Sequence, residues 1–102
     1  MSDIQETIRE IVEHNRVVVF MKGTRTFPQC GFSARAVDIL KQCGVDFKDV
    51  NVLTDPALRQ GIKQYSSFPT IPQVYIGGKL VGGSDILMEM FQNGELQKTL
   101  AQ

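Results

Sequence analysis

A chain of 102 residues, 42% of them hydrophobic, can close one modest core, so a single domain over residues 1–102 is expected. Eleven basic and eleven acidic residues cancel, and no basic stripe marks a nucleic-acid surface. No apolar run approaches the ~20 residues that a bilayer span needs. Two cysteines are too few for a disulfide scaffold, and the polar, amphipathic residues 1–10 read as neither a secretory signal nor a transit peptide. A reducing, cytoplasmic compartment is expected.

Ser2 and Gln5 stand at capping-box spacing, and Ile4, Ile8, Ile11 and Val12 follow at helical period, predicting a first helix. Val17-Val18-Val19-Phe20-Met21 is a continuous, largely β-branched run, as in a strand buried on both faces. Residues 22–29 read as a loop closed by Pro28. A second helix is predicted from about 31 to 43, with Ala36, Leu40 and Cys43 on its apolar stripe and Gly44 as terminator. A weaker strand lies within 45–52, and strand–helix–strand implies a right-handed parallel unit.

Asp55-Pro56 reads as an N-cap followed by proline at the first position of a third helix, whose face carries Leu58, Ile62 and Tyr65. Residues 66–72 form a loop with two prolines. Strands at 73–76 and 79–81 are joined by Gly77-Gly78, a two-residue hairpin signal. A fourth helix begins near Asp85 and presents Ile86, Leu87, Met90 and Phe91. Gly94 separates it from a short terminal helix carrying Leu96 and Leu100.

Cys30 is the residue most suited to chemistry. It follows the loop and opens the second helix, where unpaired backbone N–H groups and the helix dipole favour a thiolate. Ser33 stands where a dithiol motif has its second cysteine; its hydroxyl either serves the first turn or tunes the thiolate. Cys43 falls at the far end of the same helix. At ~1.5 Å per residue the two sulfurs are about 20 Å apart, whereas a disulfide needs Cα atoms within about 7 Å. Cys43 is therefore read as core.

Lys22 ends the central strand at the sheet edge where ligands bind in open α/β folds, and is equally readable as a solvated strand-end lysine. Thr70-Ile71-Pro72 precedes the third strand; a cis Ile71-Pro72 bond is a minority geometry, about 5–6% of such bonds. Gly82-Gly83-Ser84-Asp85 is either an ordinary Ser/Asp cap or a helix N-terminus open to a carboxylate, with Asp85 available to an ammonium group. His14, the single histidine, fits a helix C-terminus. With one accessible cysteine, it cannot build a four-ligand zinc site in a monomer.

Taken together, Lys22-Gly23-Thr24, Pro28-Gln29-Cys30-Gly31-Phe32-Ser33, Thr70-Ile71-Pro72-Gln73 and Gly82-Gly83-Ser84-Asp85 resemble, in order and spacing, the monothiol glutaredoxins of the CGFS type. The resemblance covers nearly the whole chain. It implies an α/β, thioredoxin-like fold: a four-stranded mixed sheet, a parallel pair plus an antiparallel hairpin, flanked by about five helices. It also implies a glutathione site. There Cys30 meets the glutathione sulfur, Lys22 and Arg59 bind the glycine carboxylate, and Ile71 pairs with the tripeptide backbone beside cis-Pro72. Ser84 and Asp85 receive the γ-glutamyl end, with Phe32 and Gly83 in the same set.

Three positions depart from the pattern. Arg25 stands where proline is usual, which implies a less rigid loop before Cys30. Phe68 replaces a common tryptophan. Ser84 occupies a position that is sometimes cysteine, which strengthens the monothiol reading. The function implied is an iron–sulfur carrier: a homodimer holding a [2Fe–2S] cluster through Cys30 of each chain and two glutathione thiols, monomeric without it. A BolA-like protein and iron–sulfur client proteins are the implied partners. The alternative is a glutathione-dependent thiol–disulfide oxidoreductase that works through Cys30 alone. Phe32 and Ser33 in place of a tyrosine–cysteine pair lean towards the carrier.

Overall fold

The unbroken apolar run becomes strand β1 (Val17–Met21), buried along its whole length at an interior position of the sheet. The computed structural model describes residues 3–102. Around β1 the chain lays down helix α1 (Ile4–His14), helix α2 (Gly31–Gln42), strand β2 (Lys48–Asn51), a 3₁₀ turn (Val52–Thr54) and helix α3 (Pro56–Ser66). Strands β3 (Gln73–Ile76) and β4 (Lys79–Gly82) follow, then helices α4 (Ser84–Gln92) and α5 (Glu95–Ala101). The sheet order is β2-β1-β3-β4. β1 runs parallel to β2 and antiparallel to β3, and β3–β4 is antiparallel. This is the expected mixed sheet with five α-helices.

Because side chains alternate across a strand, β1 feeds two cores. Val17, Val19 and Met21 join Val74 and Ile76 against Ala36, Leu40, Leu87 and Leu96 of α2, α4 and α5. Val18 and Phe20 join Tyr75 on the other face, under Ile8 and Val12 of α1 and Leu58 and Ile62 of α3. Phe20 and Tyr75 meet edge-to-face, with ring centroids 5.7 Å apart, a geometry that aromatic quadrupoles favour.

The terminators work largely as read. Asp55 Oδ1 accepts from the N–H of Ala57 and Leu58, ahead of Pro56 at the first helical position. Gly77 and Gly78 both have positive φ, +60° and +82°, as a type I′ turn requires. One cap differs. Asp3 caps α1, its Oδ1 accepting from Gln5 N–H at 3.0 Å; Ser2, the expected cap, lies outside the described residues. Aspartate caps as well as serine, so the signal was one residue out. The 3₁₀ turn was not foreseen; Asn51 starts it by accepting from Leu53 N–H.

The turn leaving β1 depends on Gly23, at φ +92°; a Cβ there would stand 2.5 Å from the Phe27 carbonyl oxygen and 2.6 Å from the Gln29 nitrogen. Backbone cannot yield as a flexible side chain can. Gly23→Ala should destabilise the fold by about 2–4 kcal/mol, combining the left-handed penalty with overpacking, as read by urea unfolding. A loss under about 0.5 kcal/mol, within the range of ordinary surface substitutions, would show that the turn relaxes freely.

Candidate functional site

Cys30 is the N-cap residue of α2, extended at φ −151° and ψ 137°, and partly exposed. The thiol makes no cap hydrogen bond of proper geometry, and no acidic residue stands in the first turn of α2. The backbone N–H of Ser33 lowers the Cys30 pKa most. Burial opposes it, and the N–H of Phe32, the Lys22 charge and the Ser33 hydroxyl add to the lowering. The net direction is down, as expected where a helix N-terminus meets a sulfur. Cys43 goes the other way. It is the C-cap of α2, packed against the core, and burial pushes its thiol up.

Ser33 is fully buried, and its hydroxyl accepts from Lys22 N–H at 3.1 Å. One side chain thus ties the exit of β1 to the first turn of α2 while facing the sulfur. The loop between them is closed by a bridge between Gly23 and Pro28 and by Gln29 N–H donating to the Lys22 carbonyl at 2.8 Å. Asn51 Oδ1 takes Gly23 N–H at 3.0 Å. Arg25, whose departure from proline implied a less rigid loop, is itself anchored to the sheet. Its N–H donates to Asp49 Oδ2 at 2.9 Å, its Nε faces Asp49 Oδ1 at 3.3 Å, and its guanidinium also reaches the Phe47 carbonyl and lies 4.0 Å over the Phe47 ring. Donors that proline lacks supply the anchorage.

Beside Cys30 runs a groove of about 560 Å³, within the ~300–1,000 Å³ usual for small-molecule sites. Lys22, Phe32, Arg59, Ile71, Pro72, Gly83, Ser84 and Asp85, singled out separately in the sequence, all line it. Cys30 does not itself line the groove, but Lys22, whose charge lowers the Cys30 pKa, and Phe32, whose N–H does the same, both do. The lining includes three cations (Lys22, Arg59 and Lys63) against one carboxylate, Asp85. The lining also includes the start of α4, where Gly83 is the N-cap and no side chain caps the helix. The ordinary Ser/Asp cap is therefore absent: Ser84 and Asp85 sit in the first turn, and its N–H groups have no side-chain cap. Such an end, with three cations, suits a ligand carrying carboxylates.

The middle wall is the 66–72 loop, where the Ile71-Pro72 bond is cis. Gln73 organises it from a fully buried position. Its Nε2 donates to the Phe68 and Thr70 carbonyls at 3.0 and 3.2 Å, and its Oε1 accepts from Tyr75 OH at 3.1 Å. Burial pushes the Tyr75 phenol up to about 12 despite the Ser66 hydroxyl beside it, so it remains a donor. Lys63, Phe68 and Ile86 were not foreseen as lining. Lys63 had a readable signal, since it follows Arg59 at i+4 and shares its helix face; Phe68 and Ile86 carried none beyond lying near the motifs.

A mixed four-stranded sheet with one activated thiol at a helix N-terminus, a cis-proline loop and a cation-lined groove is a thiol site on a thioredoxin-like fold. The glutaredoxin family profile matches residues 17–81, so the chain belongs to the glutaredoxin family. A protein of Synechocystis named as an uncharacterised monothiol glutaredoxin (ycf64-like) is 57% identical over 91% of this chain and 87% of its own length. The chloroplastic monothiol glutaredoxin-S14 of Arabidopsis thaliana is 54% identical over 93% of the chain, which spans 55% of that longer protein. Among solved structures, reduced apo GrxS14 of poplar superposes with a TM-score of 0.85 at 49% identity, covering 96% of this chain and 90% of that one. A buckwheat glutaredoxin–glutathione complex gives 0.86 at 28% identity, covering 96% and 87%.

The thiolate is the reacting form, so a lowered pKa moves the rise in alkylation rate to lower pH. Titrated with iodoacetamide, Cys30 should show its midpoint below that of an unfolded cysteine, and Cys43 above it. Ser33→Ala should raise the Cys30 midpoint and, by leaving Lys22 N–H without its acceptor, cost about 1–3 kcal/mol of stability. A Cys30 midpoint equal to that of the denatured protein would remove the electrostatic account.

Proposed function

We propose that the chain binds glutathione along this groove and, as a homodimer, carries a [2Fe–2S] cluster for iron–sulfur assembly, transfer or iron sensing. The observation that carries this reading is one partly exposed, pKa-lowered thiol whose neighbours Lys22 and Phe32 line a cationic groove, with the second cysteine at the opposite end of α2. Glutathione offers two carboxylates, an ammonium and a thiol. Lys22 and Arg59 take the glycine carboxylate, and the Ile71 backbone beside Pro72 pairs with the tripeptide. The opening turn of α4, from Gly83 through Ser84, takes the γ-glutamyl carboxylate, and Asp85 takes its ammonium. The buckwheat complex supports the ligand, being a glutaredoxin described with glutathione.

The stoichiometry is the one the family resemblance implies, and ligand counting is consistent with it. A [2Fe–2S] cluster takes four ligands, usually thiolates. Among the described residues no group of three or more His, Cys, Asp or Glu side chains is placed to hold a metal. Two chains supply two Cys30 thiolates, and two bound glutathiones supply the rest. Cys30→Ser should abolish both the cluster chromophore and dimerisation, while Cys43→Ser keeps both. The check is anaerobic reconstitution with and without glutathione, read by ultraviolet–visible spectrum, iron count and sedimentation. A full chromophore formed without glutathione would contradict the ligand set.

The lowered Cys30 pKa also supports a second reading, removal of glutathione from protein mixed disulfides. The Cys30 thiolate attacks the glutathione sulfur, and the protein thiolate leaves. A second glutathione thiolate then attacks the enzyme-bound glutathione, releasing glutathione disulfide and regenerating Cys30. Rapid turnover with poor cluster retention would favour this reading; slow turnover with tight cluster binding favours the carrier. In either case Arg59→Ala should weaken glutathione binding by about 10- to 100-fold, the value of a charge-assisted contact, with Lys63→Ala weakening it less, as measured by calorimetry.

A further inference from the structure

Among the described residues, every hydrogen bond from the tip of the loop between Gly23 and Gln29 to another element runs through Arg25. Apolar packing does not replace them, because Phe27 at the same tip is 72% exposed. The receiving groups lie on or beside β2. Asp49, opposite Val19 of β1, takes both the Arg25 N–H and Nε, and the Phe47 carbonyl and ring take the rest of the guanidinium. Asp46 stands further off, at 3.9 Å. Burial pushes the Asp49 carboxyl up, but the Arg25 N–H, Asp49's own N–H and the guanidinium outweigh it and hold the group below its ordinary range.

The loop has no slack. Gly23 pairs with Pro28, Gln29 donates to the Lys22 carbonyl, and Cys30 is the next residue. Asn51 fixes the root of the loop through Gly23, and among the described residues Arg25 alone bonds its tip to another element.

We propose that Arg25 and Asp49 form a latch that positions Cys30 and Lys22 relative to the glutathione groove. Arg25 is a positioning residue: it does not line the groove, and it acts by pinning the tip of the loop to the sheet. The proposal rests on the reading of Cys30 as the working thiol beside a glutathione site, and its consequence is selectivity. A thiol held in register with the groove discriminates a disulfide bearing glutathione from one bearing a single cysteine. A thiol on a loosened loop loses that discrimination before it loses intrinsic reactivity.

The test is single-turnover exchange in the Cys43→Ser background. One peptide is presented as its mixed disulfide with glutathione or with cysteine, and the ratio of second-order rate constants is read. Cys30 attacks the carrier sulfur and the peptide thiolate leaves, so both reactions balance alike. Arg25→Ala should cut the ratio by about 3- to 30-fold, inside the roughly 100-fold that a 1 Å misplacement can cost. Asp49→Ala, which frees the Arg25 N–H but leaves the guanidinium on Phe47, should cut it by a similar factor, and the double variant by less than the product of the two, because residues acting as one unit are not additive. Arg25→Lys, which keeps charge and fold but lacks the planar fork, should fall between.

Ratios unchanged in Arg25→Ala and Asp49→Ala, or losses that simply add, would overturn the latch. A wild-type ratio near one would instead remove the glutathione reading. The latch would then stand or fall on amide exchange at Thr24 and Gln29, faster in Arg25→Lys if the latch holds and unchanged if it does not.

Discussion

The site depends on where the α2 N-terminus points. A helix start leaves backbone N–H groups without partners, and most helices spend a serine, threonine, asparagine or aspartate on them. Here the N-cap is Cys30, no acidic residue enters the first turn, and the thiol makes no formal cap bond. The N–H groups of Ser33 and Phe32 are left for a charge that the sulfur acquires only when it loses its proton. Reactivity is thus obtained by leaving a helix end without a conventional cap.

That arrangement holds only if the chain reaches α2 in one way. β1 is buried on both faces and cannot shift without disturbing two cores. The turn at Gly23 admits no side chain, and Ser33 ties Lys22, the residue leaving β1, back to the helix it precedes. The opposite wall is held by a different device. Gln73 spends its whole side-chain amide on the Phe68 and Thr70 carbonyls and the Tyr75 hydroxyl. A fully buried glutamine is tolerable only when satisfied, and satisfying it shapes the loop that carries Ile71 and Pro72. Thiol and groove are placed by separate polar anchors on one rigid sheet.

Much of this was legible in the chain, for identifiable reasons. β1 was plain because a five-residue apolar run can hardly be anything but a buried strand, and the Gly77-Gly78 and Asp55-Pro56 signals are local chemistry that needs no tertiary context. Cys30 was legible because its position before a helix is itself a cause of its lowered pKa. The legibility failed where a residue's partner lies far along the chain. Arg25 read as a missing proline, because its anchors, Asp49 and Phe47, come more than twenty residues later. The open N-terminus of α4 read first as an ordinary cap, because Ser84 and Asp85 are good capping residues and only the fold moves the cap position back to Gly83. The convergence of Lys22, Arg59 and Lys63 on one groove is a property of the sheet order, which periodicity does not encode.

The two cysteines show how far one helix can differentiate identical side chains. Both belong to α2, one at each cap. At the N-terminus the sulfur meets unpaired donors, a buried hydroxyl and the Lys22 charge, and the anion is favoured. At the C-terminus the sulfur packs against the apolar core of one sheet face, and burial favours the neutral thiol. The helix also holds the two sulfurs apart at ~1.5 Å per residue. While α2 is intact, Cys43 cannot close a disulfide onto Cys30. A thiol so isolated must find its sulfur partner outside the chain, and the groove at its side, with its cations and open helix end, is built for a partner that brings carboxylates with it.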